Sequence, residues 1–223
     1  MLEISLKTEE DLRAEGFEFV IGIDEAGRGP LAGPVVAAAA VIRKGANILK
    51  DKSFTLIRDS KKLSEKQREE VFDFISENFH VGVGICDHKT IDRVNILEAT
   101  YLAMKKALAD LTAKINRPSS CIILVDGNRI IPGLSISQRS IIKGDSLVKT
   151  ISAASIVAKV QRDRMMREAH EKYPEYGFLK HKGYGTKDHL AAIKKNGPSE
   201  IHRVSFEPLK SWTKDKKTAT IKP

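Results

Sequence analysis

Four acidic residues stand where apolar segments of the chain end or where a helix begins. Asp24 and Glu25 directly follow FVIGI, Asp126 directly follows CIILV, and Asp145 precedes a long helical pattern. Carboxylates gathered at the edge of a core repel one another and lose hydration, so divalent cations would neutralise them favourably. Ligand sets made only of oxygen suit Mg²⁺ or Mn²⁺ rather than zinc. The placement of these acids therefore predicts a metal site, with Mn²⁺ or Mg²⁺ as the cofactor.

Simpler roles are open for three of these acids when each is taken alone. Asp24 could cap the loop that follows it, and Asp126, in the sequence DGN, could be a turn residue. Asp145 could be the N-cap of the following helix, although Ser146 could also serve. The metal interpretation is favoured because these acids occur together with an acid pair at a strand end.

The acid pair also constrains the local backbone. Adjacent residues of a regular strand point to opposite faces. We therefore expect the strand to end at Asp24, with Asp24 pointing inward as a bridging ligand and Glu25 reaching in from the turn.

The loop GRGPLAGP, residues 27–34, follows the acid pair and is called the glycine loop below. Its glycine spacing is one residue too long for a dinucleotide-binding fingerprint, and the next segment, VVAAAAVIR, has the pattern of a strand where such a site needs a helix. A nucleotide-dependent oxidoreductase is therefore disfavoured. The glycines would let backbone amides approach a ligand, with Arg28 available for a phosphate or an acid. A plain strand-to-strand turn is the alternative.

The composition is typical of a globular protein without a membrane segment. The 223 residues are 41% hydrophobic and 30% charged, and the net charge of +9 favours a polyanionic partner without proving one. The run Val35–Ile42 is too short to cross a bilayer, and the polar, acidic N-terminus does not resemble a signal peptide. Cys86 and Cys121 lie in apolar runs and are expected to be reduced thiols. A cytoplasmic protein with no membrane segment is expected.

Hydrophobic periodicity predicts a mixed α/β sheet with helices packed on it. Strands are expected over 17–23, Val35–Ile42, 80–86, 121–125 and 136–142. Helices are expected over Glu65–Asn78, with a capping box from Ser64 and Gln67, and over 95–111, 147–171 and 186–196. We divide the chain into a core (1–172), a helical appendage packed on it (173–213) and a disordered basic tail (214–223).

Several motifs occur in a characteristic order from Phe19 to Leu209. They are GIDEAGRGPLAGPVVAAAAVI, DSKKLS, VDGN, KGDSLVKTISAASIVAKVQRDRMM and HKGYGT. In these motifs the chain closely resembles bacterial ribonuclease HII. The resemblance implies a ribonuclease H-like mixed sheet flanked by helices, with a C-terminal helical region. It also implies a monomeric endonuclease of ribonucleotide excision repair, which cuts 5′ to ribonucleotides in DNA-RNA hybrids and in DNA carrying a single ribonucleotide, leaving 5′-phosphate products.

The resemblance also assigns roles by position. Asp24, Glu25, Asp126 and Asp145 correspond to the family's catalytic, metal-binding acids. The loop residues Gly27, Arg28 and Gly29 correspond to the segment that senses the ribose 2′-hydroxyl. Tyr184 corresponds to the tyrosine that packs on the neighbouring deoxynucleotide sugar, and Ser60 and Lys61 lie in a segment that contacts phosphate. One departure is Val204, which stands where a second basic residue is expected and would modestly weaken duplex binding.

A two-metal mechanism would suit this set of residues, because two ions about 4 Å apart can activate water without a histidine base. Salt-sensitive phosphate affinity is expected from Lys61, Lys62, Arg162, Lys180 and Lys182, although each alone is better explained as a solvated charge. Three alternative functions are open. Ribonuclease HIII usually carries an extra N-terminal domain, and the segment before Phe19 is too short for one, which argues against that family. Another nuclease of the same fold is separable by a single-ribonucleotide substrate, and a non-catalytic hybrid-binding protein should have lost one of the four acids.

Overall fold

A five-stranded mixed sheet forms the centre of the molecule. The computed structural model of the chain describes residues 5–46, 48, 51–58, 60, 63–115 and 120–212. In spatial order the strands are β3, β2, β1, β4 and β5. The β1–β2 and β2–β3 pairs are antiparallel, whereas β1–β4 and β4–β5 are parallel. The strands are β1 (Phe19–Ala26), β2 (Val35–Ile42), β3 (Phe79–Cys86), β4 (Cys121–Asp126) and β5 (Ser137–Ile141).

In the part of the chain that the structure describes, residues 209–212 form a helical turn, and eight further helices flank the sheet or follow it in the C-terminal part. They are α1 (Lys7–Ala14), α2 (Lys52–Leu56), α3 (Glu65–Asn78), α4 (His88–Val94), α5 (Ile96–Lys114), α6 (Lys149–Lys172), α7 (Phe178–His181) and α8 (Lys187–Asn196). The capping box predicted for α3 is present, with Ser64 and Gln67 bonded reciprocally. Over the described ranges, no helix has both the length and the apolar character that a membrane span would need.

The two long helices pack on opposite faces of the sheet. Helix α5 covers the face of Ile21 and Ile23, whereas the first turns of α6 cover the face of Gly22. A Cβ atom at Gly22 would lie 2.1 Å from the carbonyl carbon of Thr150, so only glycine admits α6 this closely. The strand β2 is buried along its whole length, as its continuous apolar run predicts.

Helix α6 begins later than its pattern predicts. It starts at Lys149, and Leu147, expected on its inner stripe, is 55% exposed. The side chain of its N-cap residue, Val148, makes no capping hydrogen bond. Instead, the buried carboxylate of Glu9 in α1 accepts a hydrogen bond of 2.9 Å from the Thr150 amide. An acidic side chain near a helix N-terminus is favourable. Glu9 of α1 therefore caps α6, although the two helices are far apart in sequence.

Residues 173–212, called the C-terminal lobe below, pack on the core through a hydrophobic cluster that includes Leu31, Met166, Tyr176 and Phe178. Main-chain hydrogen bonds also join the lobe to the glycine loop. The Leu31 amide donates to the Gly183 carbonyl, and the Arg203 amide donates to the Leu31 carbonyl, both at 2.8 Å. The tail predicted to be disordered, 214–223, lies outside the described residues.

Candidate metal centre and recognition face

Three of the four predicted acids meet at one point. One carboxylate oxygen from each of Asp24, Asp126 and Asp145 lies within 4.8 Å of the other two, and these three residues are called the carboxylate cluster below. The sheet register brings the first two together, because Ile23 of β1 lies opposite Val125 of β4 and the next residue of each parallel strand is the acid. Asp145 arrives from a 3-10 turn, Gly144–Ser146, that precedes α6.

Glu25 is placed differently from the sequence-based expectation. Strand β1 continues to Ala26, with Glu25 paired opposite Ala37, so the prediction that the strand ends at Asp24 is wrong. Consecutive residues of a strand point to opposite faces, so the Glu25 side chain leaves the sheet away from Asp24. Its Oε1 accepts a hydrogen bond of 3.1 Å from Arg28. Among the described acids, the group near enough to share an ion does not include Glu25.

The electrostatics of the cluster oppose its own ionisation. Burial, followed by repulsion from Glu25 and Asp126, raises the pKa of Asp24 well above its usual range. Burial and then repulsion from Asp145 raise the pKa of Asp126, although hydrogen bonds from the backbone amides of Asp145, Gly144 and Gly127 act against this. Desolvated, mutually repelling carboxylates fit a hard divalent cation, which would neutralise them without a proton.

Ser60 is linked to the cluster through a second serine. Ser60 Oγ lies 3.0 Å from Ser155 Oγ, and a hydrogen bond from the Ser155 side chain lowers the pKa of Asp24 against the effect of burial. Ser60 is buried, so its hydroxyl is committed to this chain of contacts. Its predicted neighbour in phosphate contact, Lys61, lies outside the described residues.

A cleft of about 290 Å³ joins the cluster to the glycine loop. Its walls include Asp24, Gly29, Lys159 and Tyr184. Sequence reasoning did not single out Lys159, which Asp163 holds at 2.6 Å; its position one helical turn after Ser155 could have identified it. Tyr184 is 48% exposed, and a Cβ at Gly29 would lie 3.6 Å from its ring, so the tyrosine lies beside the glycine loop.

Two buried arginines hold the glycine loop from beneath. Arg162 donates to the carbonyls of Pro34 and Ala32 at 3.0 and 3.1 Å. Arg162 also lines the cleft but is buried, so the structure gives it a role in holding the loop, and its phosphate contact stays a prediction. Arg203 donates to the carbonyls of Gly33, Arg28, Gly27 and Pro34 at distances from 2.6 to 3.1 Å, which makes it the residue that sequence reasoning missed most clearly. Its neighbour Val204 is 44% exposed.

The fold and the cluster define a protein of the ribonuclease H class. Ribonuclease H2 from Pyrococcus horikoshii OT3 superimposes with a TM-score of 0.69 and 29% identity, covering 89% of this chain and 99% of that one. The structure of Bst-RNase HIII in complex with Mn²⁺ gives a TM-score of 0.71 at 20% identity, covering 90% of this chain and 70% of the other. That second likeness shows a shared fold.

Sequence comparison identifies the branch of this class. The family model for ribonuclease HII matches residues 21–209. Ribonuclease HII of Ruminiclostridium cellulolyticum is 51% identical over 206 residues, which cover 92% of this chain and 76% of the relative. The chain belongs to the ribonuclease HII family, and it is an endoribonuclease that acts on RNA in RNA-DNA hybrids.

Proposed function

We propose that this ribonuclease cuts on the 5′ side of ribonucleotides, including a single ribonucleotide embedded in duplex DNA, by hydrolysis that depends on two divalent cations. The observation that carries the proposal is the shared cleft, whose lining includes Asp24 and Asp126 of the carboxylate cluster, residues 27–29 of the glycine loop, and Tyr184. A scissile phosphate at the cluster would place the adjoining sugars against the loop and the tyrosine.

The carboxylate cluster is the proposed ligand set, with Glu25 contributing from the rim of the same cleft. Bound Mn²⁺ or Mg²⁺ would activate water and neutralise phosphate charge. The protein's own part is to hold the ligands in place. Ser155 orients Asp24, and backbone amides of the turn around Gly144 orient Asp126. An ion that recruited Glu25 would have to compete with Arg28, whose guanidinium lies 3.1 Å from Glu25 Oε1.

Recognition of the ribose is assigned to the glycine loop and Tyr184, called the recognition face below. The 2′-hydroxyl distinguishes RNA from DNA at a site where no base edge is read. Arg203 fixes the peptide planes at Gly27 and Arg28 by binding their carbonyls from the buried side. The tyrosine ring, open on its other side, would pack on the deoxyribose that follows the ribonucleotide.

The setting of the activity is also part of the proposal. The net charge of +9 and the cleft residue Lys159 support binding to a duplex phosphate backbone, with affinity that falls as salt rises. We propose action on genomic ribonucleotides in the cytoplasm, by a monomer, as part of ribonucleotide excision repair.

The decisive experiment uses a labelled DNA duplex containing one ribonucleotide, with Mn²⁺ or Mg²⁺. Wild-type protein should cut once, on the 5′ side of the ribonucleotide. Asp126→Asn should lower the cleavage rate on the order of 10³-fold or more while duplex binding, measured by anisotropy, stays within about twofold. Asp11→Asn is the matched control, since Asp11 has a side chain 61% exposed in α1.

Each failure has a distinct meaning in this experiment. Cutting of long hybrids but not of the single-ribonucleotide duplex would overturn the proposed substrate. Unchanged cleavage by Asp126→Asn would overturn the metal assignment. Tight binding of the duplex without cutting, under every metal tested, would favour a hybrid-binding protein instead.

A further inference from the structure

Three histidines pack together inside the C-terminal lobe, beneath Tyr184. The rings of His181 and His189 stack at a centroid distance of 4.3 Å. The Nε2 atoms of His189 and His202 lie 3.0 Å apart. Both His189 and His202 are buried. None of the three belongs to the carboxylate cluster or to the wall of the cleft.

The hydrogen-bond partners determine where the protons lie. His189 Nδ1 is 2.9 Å from the Tyr184 carbonyl, which can only accept, so this nitrogen carries a proton. The Ser199 amide donates to His202 Nδ1 at 2.8 Å, so the proton of His202 is on Nε2. His202 Nε2–H therefore donates to the bare Nε2 of His189. Burial holds this arrangement neutral by lowering the pKa of His189 and that of His202 to about 4.

The network acts on the backbone that carries Tyr184. The His189 ring holds the Tyr184 carbonyl, and His181 Nδ1 accepts from the Gly183 amide at 3.2 Å. Gly183 has a φ of +88°, and a Cβ there would lie 2.6 Å from the Ala32 carbonyl oxygen. The Gly183 carbonyl in turn accepts from the Leu31 amide in the glycine loop. The peptides on both sides of Tyr184 are thus tied down, while its ring is open to the cleft.

We propose that His189, held in one tautomer by His202, is the positioning residue that aims Tyr184 at the RNA-to-DNA junction and sets selectivity for it. The proposal rests on the junction role proposed for Tyr184. A buried histidine satisfied by its neighbours would ordinarily be a packing residue. Here the donor from Nδ1 is directed at the carbonyl of the recognition residue itself, which a packing role does not require.

Two substitutions of His189 each keep one of its two side-chain hydrogen bonds and remove the other. His189→Asn places its amide near the Nδ1 position, so it keeps the bond to Tyr184 and gives up the bond to His202. His189→Gln places its amide near Nε2, so it keeps His202 and gives up Tyr184. The measured quantity is the ratio of kcat/KM on a single-ribonucleotide duplex to kcat/KM on a long hybrid. His189→Gln should lower this ratio about fivefold to tenfold, the effect of losing one buried hydrogen bond, and His189→Asn should preserve it.

Equal changes in the two variants, or an unchanged ratio in His189→Gln, would overturn the positioning role. Tyr184→Ala, assayed in parallel, separates the junction role of Tyr184 from the positioning role of His189. A lowered ratio in Tyr184→Ala with an unchanged ratio in His189→Gln defeats only the inference about His189. An unchanged ratio in Tyr184→Ala defeats the junction role and the inference with it.

A measurement on the wild-type protein does not depend on the folding of any variant. Imidazole ¹⁵N spectra at neutral pH should show His189 protonated on Nδ1 and His202 protonated on Nε2. The opposite tautomers would leave the Tyr184 carbonyl without its donor and would overturn the proposal.

Discussion

The carboxylate cluster and the recognition face share one cleft, but the chain positions them by different means. The cluster is built at the ends of β1 and β4 and in the turn before α6, so sheet register places its acids. The recognition face consists of irregular backbone. It is held by side chains from far along the chain, such as Arg203, which is 176 residues from the Gly27 carbonyl that it binds.

Because of this difference, a mutation should be able to disrupt one region and leave the other folded. A buried guanidinium bonded to carbonyls is desolvated, and burial lowers the pKa of Arg203 to about 9 and that of Arg162 to about 10. The cost of burying these charges is offset only if every donor has a partner. The recognition face therefore depends on a few long-range bonds, whereas the cluster depends on the whole sheet. Substitutions that disrupt one region and leave the other intact test this contrast.

The largest effect is expected from Arg203→Lys. An ammonium cannot reach the four carbonyls that the planar guanidinium binds, so several would be left buried without a donor. We expect the free energy of unfolding to fall by about 3 kcal/mol or more, and hybrid cleavage to fall with it. Chemical denaturation measures the first quantity. Mn²⁺ binding per folded molecule, measured by calorimetry, should be unchanged, because the cluster lies on the sheet.

Arg139→Lys is the control for this change. Arg139 is a half-exposed residue of β5 whose guanidinium pairs with Glu15, so little loss of stability is expected. If Arg203→Lys weakened Mn²⁺ binding in proportion to cleavage, the cluster and the recognition face would not be separable regions.

A smaller and more selective effect is expected from Tyr184→Ala. Loss of the ring removes the apolar surface that packs on the deoxyribose, and burying such a side chain is generally worth about 1.5–3 kcal/mol, so cleavage at a single ribonucleotide should fall about tenfold to a hundredfold. Long hybrids, which offer many ribose contacts to the glycine loop, should lose less than about threefold. Tyr184→Phe keeps the ring and should behave like wild type. An equal loss on both substrates would refute a role at the junction.

Much of the cluster could be predicted from the sequence because its determinants are local. An apolar run that ends in an acid places that acid at a strand end, and this is correct for Asp126. The pattern at Asp24 located the residue but not the strand end, since pairing with β2 extends β1 by two residues beyond it. That extension decides the direction of Glu25, and it depends on the partner strand rather than on the acid pair itself.

The residues of the recognition face could be identified by family resemblance. The buried residues that hold its backbone could not be predicted. Arg162 was predicted to contact phosphate or to be a solvated charge, yet it is buried and bonded to the backbone of the glycine loop. The histidines of the lobe and the N-terminal acid Glu9 were similarly hidden, since each binds backbone brought to it by tertiary packing. Hydrophobic periodicity carries no information on such contacts.

The smallest effect, and the sharpest test of the cluster, is the stability of the metal-free protein carrying Asp126→Asn. The folded state raises the pKa of Asp24 and of Asp126, so it binds their protons more tightly than the unfolded chain does. The free energy of unfolding must then decrease as pH rises from about 4 through the raised pKa values. Removing the Asp126 charge also removes a repulsion that acts on Asp24.

Metal-free Asp126→Asn should therefore be more stable than wild type at pH 7. Because Asp126 is partly exposed, screening limits the gain to about 1 kcal/mol, or roughly 2–4 °C in Tm for a chain of this size. The gain should vanish below about pH 4, where both carboxyls are protonated. Adding Mn²⁺ should reverse the order, since wild type alone keeps the full ligand set. A metal-free variant that is less stable than wild type at every pH would show instead that Asp126 serves mainly as an acceptor for the amides of its own turn.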